Sequence, residues 1–320
     1  MPLPYARPWL FEIEDQSWCP AYLRDPVRDI LTFLWTHRIW PLQLKAPYEG
    51  AAEILERVIQ DVEAQGVRGY KSHENLNIVD FGSGASGPLQ KIERRINQNR
   101  LEACKSLIHF YLSDLNPMPA SLPPSKPSSI SYILEPVNVL HAPVSVTCKR
   151  HLRTFFLSFH HFNEDTARAA IADAMKSAEG VCIFELQECD LASVVMILMI
   201  APLSWLLMPF RRPTLTTLLF TYLVPLIPFM LVFDGLVSVY RTRSPKHILH
   251  LANLASLSLT LENEFKDNED MDWKWVYGSK RHTWPFGKMV WVVGRKRDAR
   301  EDGTVTETEG GYSEAETGLN

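Results

Sequence analysis

The sequence lacks what a disulfide scaffold needs. Its five cysteines (Cys19, Cys104, Cys148, Cys182 and Cys189) are odd in number and none stands in a CxxC pair. That argues against a cystine framework or a structural zinc site and favours a reducing compartment. No excess of one charge is present either: 33 basic residues face 37 acidic ones. A nucleic-acid binder working by bulk electrostatics is therefore not expected. Met1 to Leu10 holds three prolines and no apolar run, so no secretory signal is read there. Apolar residues make up 46% and charged residues 22%, which fits neither a disordered chain nor a coiled coil, and 320 residues accommodate one or two domains.

Charge and apolarity are unevenly placed along the chain. From Asp298 to Asn320 there are seven acids against Arg300 alone, with scattered glycines and threonines and almost no large apolar side chain. Such a tail cannot bury enough surface to offset its ordering entropy and is expected to be disordered. The first seventy residues read as a helical cap. One helix is expected to start at Asp25-Pro26, and a second to run from Pro47 to Gln65 with Ile54, Leu55, Val58, Ile59 and Val62 on one stripe. Then strand and helix patterns alternate. The strand signals are Asn77–Phe81, Leu107–Leu112, Ser131–Val139, Arg153–Phe159 and Val181–Leu186; the helices are Leu89–Leu101 and Thr166–Ser177, the latter capped by Asn163. A proline-rich loop fills Asn116–Ser129. Alternation of this kind implies a parallel sheet with crossovers. Trp273–Gly278 and Met289–Gly294 add a β-rich pair with Pro285 and Gly287 as turn formers.

The chemistry sits at strand ends. Gly82-x-Gly84-x-x-Gly87, with Ser83 inside it, joins the first strand to a helix. Glycines let backbone approach a ligand, and a helix N-terminus favours anionic or polar groups. Dinucleotides and S-adenosylmethionine (SAM) both use such a loop. Asp80, two residues before the first glycine, would repel a pyrophosphate but suits the ammonium and sulfonium of SAM. Asp114, followed by Leu115, ends the second strand, where ligands of open α/β sheets lie; a carboxylate there accepts from both hydroxyls of a ribose. His160 and His161 follow the fourth strand. A histidine there suits a general base, and packing or ordering the loop is the competing role. The pair lacks a third ligand at suitable spacing, so no metal site is expected. No Asn/Asp-Pro-Pro-aromatic motif follows that strand, which disfavours methylation of exocyclic base amines.

Ile78–Pro88, Tyr111–Pro117, Thr154–Phe162 and Val181–Glu185 resemble the class I SAM-dependent methyltransferases, in a branch with an FHHF segment and an apolar insert after the fifth strand. The resemblance runs from about Phe11 to Arg295. It implies a doubly wound, mostly parallel seven-stranded α/β sheet (Rossmann-like) closed by a hairpin whose last strand is antiparallel. It also implies that Asp80 and Gly82–Gly84 hold the methionine end, Asp114 the ribose, and Asn138-Val139 the adenine. Many members have Asp where this chain has Asn138; an amide can still accept from the adenine amino group.

The second segregation is apolar. Leu191–Phe210 is twenty uncharged residues, Arg211-Arg212-Pro213 interrupts, and Leu215–Phe233 is nineteen more. As helices, each would be about 30 Å long, matching a bilayer core. A two-span hairpin, a re-entrant or interfacial hairpin kinked at Pro202, Pro225 and Pro228, and a buried lid or dimer contact all remain open, with membrane contact favoured. Arg241, Arg243, Lys246 and His247 beyond it read as a basic collar for anionic headgroups.

The expected division is a helical cap (1–75), a SAM-binding core (76–190), the insert (191–234), completion of the core with its hairpin (235–297) and the tail (298–320). The expected function is methyl transfer from SAM to a small-molecule or lipid acceptor at a membrane, from the cytoplasmic side. A non-catalytic membrane adaptor and an NAD(P)-dependent reductase are the rivals. Acceptor, organelle and oligomeric state are not legible.

Overall fold

The computed structural model describes residues 10–64, 75–84, 87–115, 129–140, 142, 148–211, 213–261, 273–296 and 313–315. The chain divides into two compact units. One holds residues 48–185, 245–279 and 290–320; the other holds 1–47, 186–244 and 280–289. The N-terminal segment and the apolar insert, separate in the sequence reading, thus belong to one unit, and most of the second cap helix belongs to the other.

The larger unit is built on a sheet. Its strands are β1 (Asn77–Phe81), β2 (His109–Ser113), β3 (Ile130–Tyr132), β4 (His151–Phe156), β5 (Gly180–Glu185), β6 (Trp273–Thr283), β7 (Gly287–Lys296) and β8 (Ser313–Ala315). Their spatial order is β3-β2-β1-β4-β5-β7-β6-β8. β1 pairs in parallel with β2 and β4, β2 with β3, and β4 with β5, whereas β7 runs antiparallel to β5. β4 and β5 are buried along their whole length, as strands covered on both faces are, although β4 buries His151, Arg153 and Thr154 as well as apolar side chains. The expected fourth strand is shorter than its signal, because Phe159–His161 turns into a 3₁₀ helix. β8 is an addition to the seven expected strands: within the expected disordered tail it pairs antiparallel with β6, Trp275 opposite Ala315. The rest of that tail lies outside the described residues, as do the proline-rich residues 116–128.

Among the helices of the unit are α2 (Pro47–Ala64), α3 (Leu89–Glu102), α4 (Glu164–Ser177) and α9 (Pro245–Leu261). Ala167, Ala170, Ile171 and Ala174 of α4 meet Ile248, Leu251, Ala252 and Ala255 of α9 in one core with Val79, Phe81, Phe155 and Ile183 of the sheet. Small residues at that crossing let the helices approach closely. Asn163 caps α4 as expected, its side chain accepting from Thr166 N–H at 2.7 Å. α3 is tied to α2 by Arg95 to Glu49 and Glu53 and by Arg100 to Glu63 at 2.7 Å. Inside the sheet, fully buried Arg153 pairs with Asp173 at 2.7 Å and lies over the Phe81 ring.

The smaller unit holds α1 (Ala21–Thr36), α5 (Leu191–Leu198), α6 (Ile200–Leu207), α7 (Leu215–Leu218) and α8 (Leu226–Arg241). α1 starts four residues before the expected Asp25 and passes through Pro26. A proline this early removes one backbone bond, and burial of Leu23, Val27 and Ile30 against Ile227, Met230, Leu231 and Val239 offsets that loss. Neither apolar run is one straight helix. Pro202 has no N–H for the Leu198 carbonyl, and the first run breaks at Met199, between α5 and α6. The second turns by 69° between Leu223 and Leu226, at Pro225. The expected basic collar is drawn into the fold: Arg241 pairs with Glu12 at 3.4 Å, Arg243 is buried, and His247, in the larger unit, pairs with Glu164 at 3.0 Å.

Candidate active site

Parallel pairing places the two acids side by side. Asp80 of β1 lies opposite Leu112 and Phe81 opposite Ser113, so the chain leaves β1 for the glycine loop just where Asp114 leaves β2. The loop is laced to that neighbour. Ser83 N–H donates to the Ser113 carbonyl at 3.0 Å, Ser113 Oγ to the Asp80 carbonyl at 2.7 Å, and Gly84 N–H to Asp114 Oδ2 at 2.8 Å. The glycines are required for two different reasons. Gly82 has φ of +69°, and a Cβ there would stand 2.8 Å from Cβ of Ser158, whose hydroxyl donates to the Phe81 carbonyl. Gly84 has φ of +47°, but among the described residues a Cβ there would meet nothing within 4 Å. The first keeps the loop against the protein, and the second faces open space. Gly87 also has positive φ; residues 85 and 86 between them lie outside the described residues.

Asp80 is fully buried. Thr154 Oγ1 donates to its Oδ1 at 2.8 Å and Ser83 Oγ to its Oδ2 at 2.7 Å. Burial pushes the carboxyl up to about 7; the Ser83 and Thr154 hydroxyls and the Phe156 backbone pull it down, and the nearby Asp114 charge pushes it further up. The sequence reading has Asp80 at the methionine end of a cofactor. In the structure its carboxyl holds Ser83, and its charge reaches the loop through that hydroxyl.

His160 is held by a residue that the sequence reading missed. Glu185, last residue of β5, accepts from His160 Nδ1 at 2.9 Å and from His160 N–H at 3.1 Å, and both side chains are buried. A carboxylate oxygen that accepts at Nδ1 holds the ring proton there and leaves Nε2 as the basic nitrogen. The available signal was an acid closing an apolar strand, as Asp80 nearly does in β1. His161 lies beside His160, ring centroids 4.3 Å apart, and is half-buried. The remaining expected residues are placed differently. Leu115 is exposed. Asn138 is exposed and its Oδ1 accepts from Leu140 N–H at 3.0 Å, while Val139 is buried in the core of the sheet unit. The segment is tied to the site by Val137 N–H, which donates to the Asp114 carbonyl at 2.9 Å.

One feature of the sheet decides the fold. β7 enters between β5 and β6 and runs against its parallel neighbours, at the far side of a sheet whose first two strands carry the glycine loop and the paired acids. This is the fold of the class I methyltransferases. No family model matches the chain, and no curated protein matches it. Methyltransferases predominate among the solved structures that it resembles. The plantazolicin methyltransferase BpumL in complex with SAH is 11% identical; the match covers 86% of this chain and 98% of that one, with a TM-score of 0.41. Human N-acetylserotonin methyltransferase in complex with SAM is 14% identical over 86% of this chain and 66% of that one, with a TM-score of 0.35. A pericyclic reaction enzyme is 14% identical over 73% of this chain, which spans 46% of it, with a TM-score of 0.38. These likenesses are distant; the methyltransferase fold is read from strand order and direction.

Proposed function

We propose that the chain is a SAM-dependent methyltransferase acting on an apolar small-molecule or lipid acceptor at a membrane, with its catalytic unit on the cytoplasmic side. The observation that carries the reading is the bond from Gly84 N–H to Asp114 beside buried Asp80. It joins a glycine turn that faces open space to a ribose-binding carboxylate and to a source of negative charge. The site fits the cofactor on that ground: at Gly84 no atom of the described residues lies where a Cβ would stand, and a carboxylate has about four acceptor sites, so one amide does not exhaust Asp114.

SAM supplies an electrophilic methyl group on a sulfonium. The chain's own residues do the rest. Asp114 orients the nucleoside end, and the loop backbone sets the depth of the methionine end. The Asp80 charge, favoured in its ionised form by a cation, would balance the positive charge of the bound cofactor. His160, oriented by Glu185, takes the proton where the acceptor carries one; alignment supplies most of the remaining rate. Membrane association is supported by the apolar run Leu191–Arg211, long and apolar enough to cross a bilayer and only 28% buried.

Calorimetric titration with SAM and with NADH tests the cofactor. SAM should bind and NADH should not, and Asp114→Ala should weaken SAM by about ten- to a hundredfold. Tight NADH binding without SAM binding would assign a reductase. SAM binding without methyl transfer to any component of a lipid extract would favour the adaptor.

A further inference from the structure

Resting on the membrane reading above, we infer that the smaller unit seats in one leaflet as an in-plane anchor and does not span the bilayer. The turn between the two apolar runs is not free to cross. Arg211 is paired through both guanidinium edges with Asp29 of α1, Nε to Oδ2 at 2.9 Å, and its guanidinium lies over the Phe33 ring at 4.7 Å. α1 is in turn packed along α8 through Val27, Ile30, Met230 and Leu231. Carrying the turn across would carry Asp29 and, with α1, Arg24, Asp25 and Arg28 into hydrocarbon, which is costly for every charge. The bend adds a length argument. The nine residues Leu215–Leu223 before the 69° turn reach about 14 Å, less than half of a bilayer core.

The outward surface fits hydrocarbon. Leu206, Phe210, Leu223 and Phe229 are exposed, as are the flanking aromatics Trp205 and Tyr222. Four polar side chains among these segments bond to nearby carbonyls: Ser204 Oγ donates to the Ala201 carbonyl, Thr221 Oγ1 to Thr217, Trp205 Nε1 to Thr221 and Tyr222 OH to Trp205. A protein partner would use about one hydrogen bond per 100–200 Å² of interface. A surface whose hydrogen-bonding side chains are engaged in this way suits lipid chains.

The test uses the full chain with sealed phosphatidylcholine vesicles, with and without phosphatidylserine. The parent should float with neutral vesicles, with little dependence on salt. Leu206→Gln with Leu223→Gln should lower partition by at least about tenfold, while SAM titration reports that the variant is folded. For topology, Thr216→Cys is placed in a chain whose exposed Cys104, Cys148 and Cys189 are replaced by Ser. An impermeant maleimide added outside the vesicles should label it. Protection until detergent is added would show spanning and overturn the in-plane seat while leaving the membrane reading intact. A parent that stays monomeric and free of vesicles overturns both. Concentration-dependent dimers without vesicle binding, abolished by the double Gln variant, assign the surface to a second copy and also overturn both.

Discussion

The buried carboxyl of Asp80 makes stability pH-dependent in a direction opposite to that of ordinary paired acids. In the unfolded chain it titrates near 3.8, and in the fold near 7. The fold therefore binds the proton more tightly. This stabilisation is fully present below about pH 4 and is lost as pH rises through about 7. The difference between the two values corresponds to roughly 4 kcal/mol, a large part of the 5–15 kcal/mol typical of a domain. Asp80→Asn is nearly the same shape and never ionises. Urea unfolding of parent and variant should be compared from about pH 4 to about pH 8, so that titrations common to both cancel. The parent should lose stability relative to Asp80→Asn by up to about 4 kcal/mol across that range. Thr154→Val, which removes the hydroxyl on Oδ1, should raise the folded pKa further and carry the decline to higher pH. Parallel parent and Asp80→Asn curves would refute the reasoning, because Asp80 would then be ionised throughout the range or reached by water.

The two loop glycines should separate stability from binding. Gly82→Ala places a Cβ against Ser158 at positive φ and should cost about 1–3 kcal/mol in thermal unfolding; Gly84→Ala should cost only about 1 kcal/mol yet weaken SAM in calorimetry. Glu185→Gln should let the His160 proton exchange between ring nitrogens, visible in ¹⁵N imidazole spectra, and lower turnover about a hundredfold with SAM affinity unchanged. Arg153→Met should cost about 3 kcal/mol in denaturant titration because it strands Asp173; a loss under about 1 kcal/mol would show that the pair is solvated.

Most of the sheet was legible because its strands are local signals bounded by turn formers. β1, α3, β2 and β5 fall within two residues of the expected ranges, and the β6–β7 hairpin sits where two β-rich runs flank Pro285 and Gly287. Errors arose where long-range packing overrode a local sign. Pro26 marks a helix start by itself, but α1 begins earlier because Leu23 has a buried place in the core of the smaller unit. Ser313–Ala315 lies in an acidic, glycine-bearing stretch that cannot build a core, yet the free edge of β6 gives three residues of backbone a partner. Likewise the collar Arg241, Arg243 and His247 reads as surface charge until Glu12 and Glu164 are brought beside two of its members by the fold.

The site divides along the same line. Asp80, the glycines and Asp114 are adjacent in sequence to strand ends, and parallel register alone brings β1 and β2 side by side; their juxtaposition follows from the strand order. What sequence could not show is the state of each group. Whether Asp80 faces a ligand or supports the loop depends on Thr154, which lies 74 residues away and becomes its neighbour only through the pairing of β1 with β4. Glu185 was legible as the last residue of a strand, but its role needs the 3₁₀ turn that swings His160 back over the end of β5. The same dependence explains the insert. Composition alone favours membrane contact over a lid but does not rank a span above a dip, because both require uncharged length. On the membrane reading, the position of Arg211 on Asp29 argues for a dip over a span, and that contact joins residues 182 apart in sequence. Under the in-plane seat proposed above, an apolar run that returns its single described apex charge to a helix rich in charge would lie along a boundary, with lipid on one side and α1 on the other.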